Sequence, residues 1–354
     1  MRVQARNLAA REAKLEAVQQ KLTDAVGELV TGEDWKRALE FSAKFRSRSF
    51  RNTMLIHLQH RAAYEQGRVP DPMPTYVAGF HRWIELNRSV VKGQSGYAIL
   101  APVTARFTSQ DPSRDDSWRK LPRGVPASSG ETVRSRTVGF KLAYVWDVSQ
   151  TAGDPVPEVP HPVLLQGQAP EGLWDGLADQ IVAHEFALRL VSDAKSIGGA
   201  NGVTDFMTRE VSIRTDMDDA AQVKTLAHEL VHVMLHAPDH SGAAADATMH
   251  RGIAEVEAES VALMVGAAHG FATDDYTIPY VASWASSVPG KAPIEVVQST
   301  AERVRGTSLS ILNKLETPQV SDGSPPVLDA DTMTPQQVSH RAPATGVKVE
   351  AIRL

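Results

Sequence analysis

His228, Glu229 and His232 stand in the run Thr225-Leu226-Ala227-His228-Glu229-Leu230-Val231-His232, an H-E-x-x-H motif. Four residues at about 100° each make slightly more than one helical turn. A helix here therefore sets both imidazoles on one face, where they can share one zinc ion. Glu229 follows the first ligand and can serve as general base towards a water at the metal. The chemistry implied is metal-assisted hydrolysis. Leu226, Leu230, Val233 and Met234 supply a buried side at helical spacing, so the pattern predicts the helix as well as the ligands.

The third ligand decides the subclass. A metzincin carries Gly three residues and His six residues after the second His; Leu235 and Pro238 occupy those positions here, which excludes it. Residues 251–264 then read as a second helix with Glu255, Glu257 and Glu259 in its first two turns. In a gluzincin, a Glu on the following helix completes a two-His, one-Glu site. Glu257 is the expected ligand. Glu255 and Glu259 lie four apart and share a face, so one of them could serve instead. Acidic residues near a helix N-terminus also complement its dipole without any metal.

The T-L-A-H-E-L-V-H run with the E-V-E-A-E-x-V-A segment resembles the ImmA/IrrE-type metallopeptidases over about residues 181–267. The resemblance implies a gluzincin-like core and carries over His228, Glu229, His232 and Glu257. His236 matches that family's trailing His and is expected to support a ligand. No oxyanion donor can be assigned from sequence; Tyr276, Tyr280 and His250 are candidates. An extended peptide substrate could pair with the strand expected at Val211-Ser212-Ile213, as an edge strand permits.

Charge divides the chain. Residues 1–150 carry 24 Lys and Arg against 15 Asp and Glu, while the remainder carries 13 against 27. A basic half suits an anionic partner such as nucleic acid. Lys44, Arg46, Arg48 and Arg51 surround Phe45 and Phe50, followed by Tyr76, Phe80, Arg82, Trp83, Arg88, Lys92 and Tyr97. Interleaved cations and rings suit single-stranded DNA, with cations on phosphates and rings on unpaired bases. Core packing competes as an explanation of each ring.

Four ordered blocks resemble the N-terminal domain of ArdC-type antirestriction proteins: Ser49-Phe50-Arg51-Asn52-x-x-Leu55-Ile56, Val77-Ala78-Gly79-Phe80-x-x-Trp83, Val91-Lys92-Gly93-x-x-Gly96-x-x-Ile99-Leu100-x-Pro102 and Val145-Trp146-Asp147-Val148-Ser149-Gln150-Thr151-x-Gly153. The resemblance implies a single-stranded DNA-binding domain fused to a metallopeptidase-like domain, in a protein of plasmids, phages or other mobile elements. The expected DNA-binding residues are Arg46, Arg48, Phe50, Arg51, Asn52, Arg82, Trp83, Arg88 and Lys92.

The elements that must position these groups are read as an α+β chain in two domains, an N-terminal α/β DNA-binding domain and a C-terminal gluzincin-like one. Residues 1–34 carry an N-terminal helix, 35–153 the DNA-binding domain, 154–172 a Pro- and Gly-rich linker, 173–317 the metallopeptidase-like domain, and 318–354 a tail expected to be disordered. Within these, helices are expected near 8–30, 34–45, 50–65 and 173–190. A hairpin is expected at 90–103, a mobile polar insertion at 110–136, a strand at 137–148 and a short meander at 201–216. No Cys is present, so there is neither a disulfide framework nor a thiolate metal site. No apolar stretch has the length of a membrane span, and the amphipathic first segment is not a signal core; a cytoplasmic protein is the expectation. The functions compatible with this reading are a DNA-protective antirestriction factor with one zinc, and a DNA-localised zinc protease acting on a regulator or restriction component. A nuclease is disfavoured, because one H-E-x-x-H zinc does not make the two-metal clamp common in phosphodiester cleavage.

Overall fold

The structure, a computed structural model, describes residues 2–29, 31–156, 167–237, 246–272, 276, 284–286, 288 and 290–326. Helices and sheets are mixed. The first half opens on three helices, α1 (Arg2–Gly27), α2 (Gly32–Lys44) and α3 (Phe50–Glu65). The start of α2 is set by a capping box: Asp34 N–H donates to Thr31 Oγ1 at 3.1 Å, and Thr31 N–H donates to Asp34 Oδ2 at 2.8 Å. Ser49 caps α3 through its Oγ.

A four-stranded sheet follows in the order β1 (Val77–Gly79), β5 (Thr132–Asp147), β3 (Tyr97–Ser109), β4 (Arg119–Leu121). After β1 comes the short helix α4 (Phe80–Glu85); β2 (Arg88–Val90) pairs with β6 (Thr151–Gly153) apart from the main sheet. The hairpin expected at 90–103 is therefore not formed. Val90 pairs with Thr151, and β3 pairs with β5 from Tyr97↔Val145 out to Ser109↔Thr132, with one irregularity at Val103/Thr104. Residues 110–136, expected as a mobile insertion, supply β4 and the start of β5. Their alternating Thr-Val-Arg-Ser-Arg-Thr-Val run fits a pleated strand. Glu131 closes this arm by accepting from Ser128 N–H, Thr108 Oγ1 and Arg119 Nη2 at 3.0, 3.0 and 2.6 Å. The amides of Asn52 and Gln59 on α3 each bond both backbone groups of a β3 residue, Leu100 and Ala98, covering the strand's otherwise unpaired edge.

The second half carries α5 (Leu173–Ala183), β7 (Ala187–Val191), β8 (Gly202–Asp205), β9 (Glu210–Arg214), α6 (Asp219–Leu235), α7 (Asp246–Ala268) and α8 (Pro293–Leu312). The helix expected over 173–190 stops at Ala183. Glu185 takes a positive φ of 62°, and the alternating Ala187–Val191 run becomes a strand. The three strands lie in the order β7-β9-β8, with β7 parallel and β8 antiparallel to β9.

One hydrophobic cluster joins the two halves, beside two smaller ones in the first half. Val18, Leu22, Trp35, Leu39 and Phe50 are buried in one cluster with Leu226, Leu230, Val256, Leu263 and Val304. Trp35 donates its indole N–H to Ser260 Oγ at 3.0 Å and packs against Trp284 and Phe50. The helices read as part of the DNA-binding unit thus also wall the second half. Residues 318–326, expected to belong to a disordered tail, form a strap. Val320 N–H donates to Ala268 O at 2.8 Å, and Val77 N–H donates to Gly323 O at 2.9 Å. Gly323 has φ 78°, and a Cβ there would run into the Phe45 ring, so only Gly fits. Of the expected linker, 157–166 lies outside the described residues.

Candidate metal centre

Helix α6 starts at Asp218, which accepts from Ala221 N–H at 2.8 Å. Val223, Leu226, Leu230, Val231 and Val233 are buried, leaving the histidine face towards α7. His228 Nε2 and His232 Nε2 are 3.1 Å apart. Glu255 completes the group, with Oε2 3.4 Å from His228 Nε2 and Oε1 3.7 Å from His232 Nε2. One donor atom from each of the three lies within 4.8 Å of the others.

Glu257, the expected ligand, is turned away from this group. Two residues round a helix are about 200°, so Glu255 and Glu259 face α6 while Glu257 faces α8. There Glu257 accepts from Arg303 Nε at 2.6 Å and bonds His236 Nε2 at 3.1 Å. His236 Nδ1 in turn meets His232 Nδ1 at 2.9 Å. Glu259 lies 3.4 Å from His228 Nδ1 and 2.9 Å from Lys224 Nζ. Both histidines thus turn one nitrogen towards Glu255 and have the other oriented from behind, the arrangement metal-ligating histidines require.

The donor set favours a cation. Burial pushes the His228 imidazole down, but hydrogen bonds to Glu255 and Glu259 and the charge of Glu229 outweigh it and hold it up at about 9. His232 is pushed down to about 4 by burial and then by the charge on His228. Two imidazoles, with the His228 proton displaced, and the Glu255 carboxylate suit a divalent ion. Glu229 is buried, which raises its carboxyl above the usual range against the hydrogen bond from Thr204. Thr204 Oγ1 donates to Glu229 Oε2 at 2.7 Å. Sequence reasoning missed Thr204 and Gly202. A Cβ on Gly202 would meet Thr225 Cγ2 at 2.7 Å and Glu229 Cγ at 2.9 Å, so the absence of a side chain lets β8 approach the glutamate. Neither has a local signature beyond a Gly near the start of a strand.

A cleft of about 950 Å³ adjoins the group, lined in part by Asn201, Gly202, His228, Glu229, Lys224 and Tyr276. The strand at Val211-Ser212-Ile213 is central rather than free, with β7 and β8 on its two sides; β8 has one edge unpaired among the described strands. Tyr276 lines the cleft, but its hydroxyl donates to Ala262 O at 3.3 Å. Tyr280 and the side chain of His250 lie outside the described residues.

The expected DNA-binding residues are mostly consumed by the fold. Arg46 donates to Val320 O, Ser321 O and Ala43 O at 2.7, 3.1 and 3.3 Å, and Arg48 donates to Val77 O. Burial lowers both guanidinium pKa values, with Asp322 opposing. Arg51 reaches Gln298 Oε1 on α8, and Asn52 clasps Leu100. Phe50 and Trp83 are 1% and 0% exposed, so core packing accounts for both. Arg82 bonds Glu85 and Pro326 O, and Arg88 holds Thr151 and Asp154. Lys92 alone of the nine is exposed. Arginines close to a helix end hold loop carbonyls here, which mimics a basic binding face in sequence.

No protein-family model matches this chain. An uncharacterized Bacillus anthracis protein, pXO2-81, is 23% identical over 329 residues, covering 86% of this chain and 52% of its own length. The chain therefore spans about half the length of that curated relative. The metal-free crystal structure of antirestriction ArdC protein from R388 plasmid aligns with a TM-score of 0.44 at 18% identity, over 75% of this chain and 84% of that one. Its Mn(II)-bound form aligns with a TM-score of 0.40 at 17% identity, over 75% and 88%. Superpositions this loose leave the function to be read from this chain's own residues. No helix among the described residues is long and apolar enough to cross a membrane.

Proposed function

We propose that this chain is a single-stranded DNA-binding antirestriction or DNA-protective factor of a mobile element, and that its second half holds one zinc ion on His228, His232 and Glu255. The observation that carries the metal half is the convergence of three donors within 4.8 Å, beside a buried Glu229. Two imidazoles and a carboxylate suit zinc with an open fourth position. The DNA half rests on the four ordered ArdC-like sequence blocks and the basic excess of residues 1–150.

His228, His232 and Glu255 would hold the zinc, which when bound would supply Lewis acidity towards a peptide carbonyl and a more acidic water. Glu229, held by Thr204 and with its pKa raised by burial, takes a proton from the attacking water and returns it to the leaving amine nitrogen. Lys224 and Asn201 line the cleft in which a peptide would lie. This supports the second reading, a DNA-localised zinc protease cleaving a regulator or restriction component: a purely structural ion has no use for a base and an adjoining cleft.

Elemental analysis of the full chain tests the centre. About one zinc per chain is expected, lost in His228→Ala and His232→Ala and retained in Glu229→Gln. Full occupancy in both His variants would overturn it. Casein or regulator cleavage by the wild type, absent in Glu229→Gln, separates the protease from the protective factor. A gel shift with labelled oligo-dT tests the DNA half; no shift at low salt would remove it.

A further inference from the structure

The arm built by β3, β4 and β5 beyond Val103 presents a face that the fold does not use. Register defines it. Lys120 pairs with Phe107, and Phe107 pairs with Arg134, so these three side chains stand in one row on one side of the sheet. Ala105 pairs with Arg136, which stands in the next same-side row. Trp118, two residues before Lys120, lies on this side as well. The Arg134 guanidinium carbon sits 3.5 Å from the Trp118 ring centroid. That of Arg136 sits 5.8 Å from Trp118 and 5.9 Å from Phe107.

Arg46, Arg48 and Arg88 each hold backbone carbonyls. On this face the arginines are more weakly paired. Arg134 Nε and Nη2 and the Trp118 indole N–H make no hydrogen bond. The carboxylate beside them, Asp115, is 3.9 Å from both Arg134 and Arg136 and its side chain is fully exposed, so water competes for it. Glu131 is spent on the opposite side, with Arg119. The face therefore combines three cations and two half-buried rings, with the Arg134 guanidinium laid over the face of Trp118 and its Nε and Nη2 buried without acceptors. Phosphate oxygens pair with the exposed charges of Lys120 and Arg136, and unpaired bases stack on rings and on guanidinium planes. Duplex DNA hides its base faces and could use the charges only.

We propose that the Trp118–Lys120–Phe107–Arg134–Arg136 face binds single-stranded nucleic acid. This rests on the nucleic-acid reading above and moves its site from the arginine cluster after α2 to the arm. The surface was hidden in sequence because residues 110–136 look like a polar insertion; the alternation of Arg134 and Arg136 is its only local trace.

The test uses the full chain and a fluorescent dT20 in polarisation titrations across a salt series. Lys120→Ala/Arg134→Ala/Arg136→Ala should weaken binding about tenfold or more and flatten the log–log salt slope by about two units, since each lost contact contributes roughly 0.7. Trp118→Leu should weaken binding at an unchanged slope. Arg37→Ala, exposed and remote on α2, should match the wild type. Melting temperatures run in parallel; if the triple variant melts early, the charge-preserving Arg134→Lys/Arg136→Lys pair should keep the slope and lose part of the affinity. Wild-type binding with an unaltered triple variant would overturn the arm and leave the nucleic-acid reading standing. No wild-type binding would overturn both. Equal loss on a 20-base-pair duplex, or displacement of dT20 by polyglutamate at equal charge, would make the face a general anion or acidic-protein surface and overturn the single-strand assignment.

Discussion

Glu255 and Glu257 differ by two positions and by everything that surrounds them. Glu255 meets two imidazoles, while Glu257 is locked between Arg303 and His236. The ligand series follows. Glu255→Ala should lose zinc more completely than Glu257→Ala or Glu259→Ala, measured by metal content after dialysis. Arg303→Ala and Glu257→Gln should leave zinc bound but about 10- to 100-fold weaker, because they loosen the support behind His232; competition with a chromogenic chelator measures this. Gly202→Ala should cost about 1–3 kcal/mol of stability through overpacking against Glu229, with any proteolytic activity falling beyond what the lost fold explains. His228, Glu229 and His232 were legible in sequence because their relation is local to one helix. That Glu255 and not Glu257 faces them is not legible, because the face of α7 that meets α6 is decided by packing, and alternating Glu-x-Glu-x-Glu offers two faces.

Elements were legible where one pattern fixed one structure, and illegible where pairing partners lay far off. α6 was read from its apolar spacing. The arm is not legible because its long partner β5 pairs with β3 at separations of 23 residues or more, and β9 reads as an edge because parallel pairing with β7 leaves no local mark. The end of α7 carries a pH dependence of its own. His269 is fully buried, donates from Nδ1 to Val265 O at 2.8 Å and bonds Thr317 Oγ1 through Nε2 at 2.8 Å. Burial lowers its pKa below 6.5, with the nearby Arg46 charge adding to this. Above about pH 6.5 both folded and unfolded states are neutral and the group contributes nothing. As the pH falls through that value the unfolded chain takes the proton first, so stability drops until the folded pKa is passed. The fall in Tm between pH 7 and 5 should be smaller in His269→Gln than in the wild type.

At the scale of the whole molecule, the division into two charge classes is legible, but the packing of both halves on a shared core is not. Charge is additive along the chain, whereas Trp35 lies in the first half of the sequence and in the core of the second. The two halves should accordingly melt in one transition by calorimetry. The strap of residues 320–323 should matter beyond its size. Truncation after residue 317 removes the strap and the Val320 and Ser321 carbonyls that Arg46 holds, leaving it only Ala43 O of its three carbonyls. Its Tm should fall by several degrees relative to truncation after residue 326. The same strap imposes an order in time. Arg46 and Val320 are 274 positions apart, which at 5–20 residues per second is roughly 14–55 s of synthesis. Late in that interval a nascent chain on the ribosome has its first helices and sheet but not the acceptors that close them, so the first half cannot lock as it emerges. A chain cut short by a nonsense codon anywhere before residue 320 would reach the chaperones and proteases of its cell unsealed.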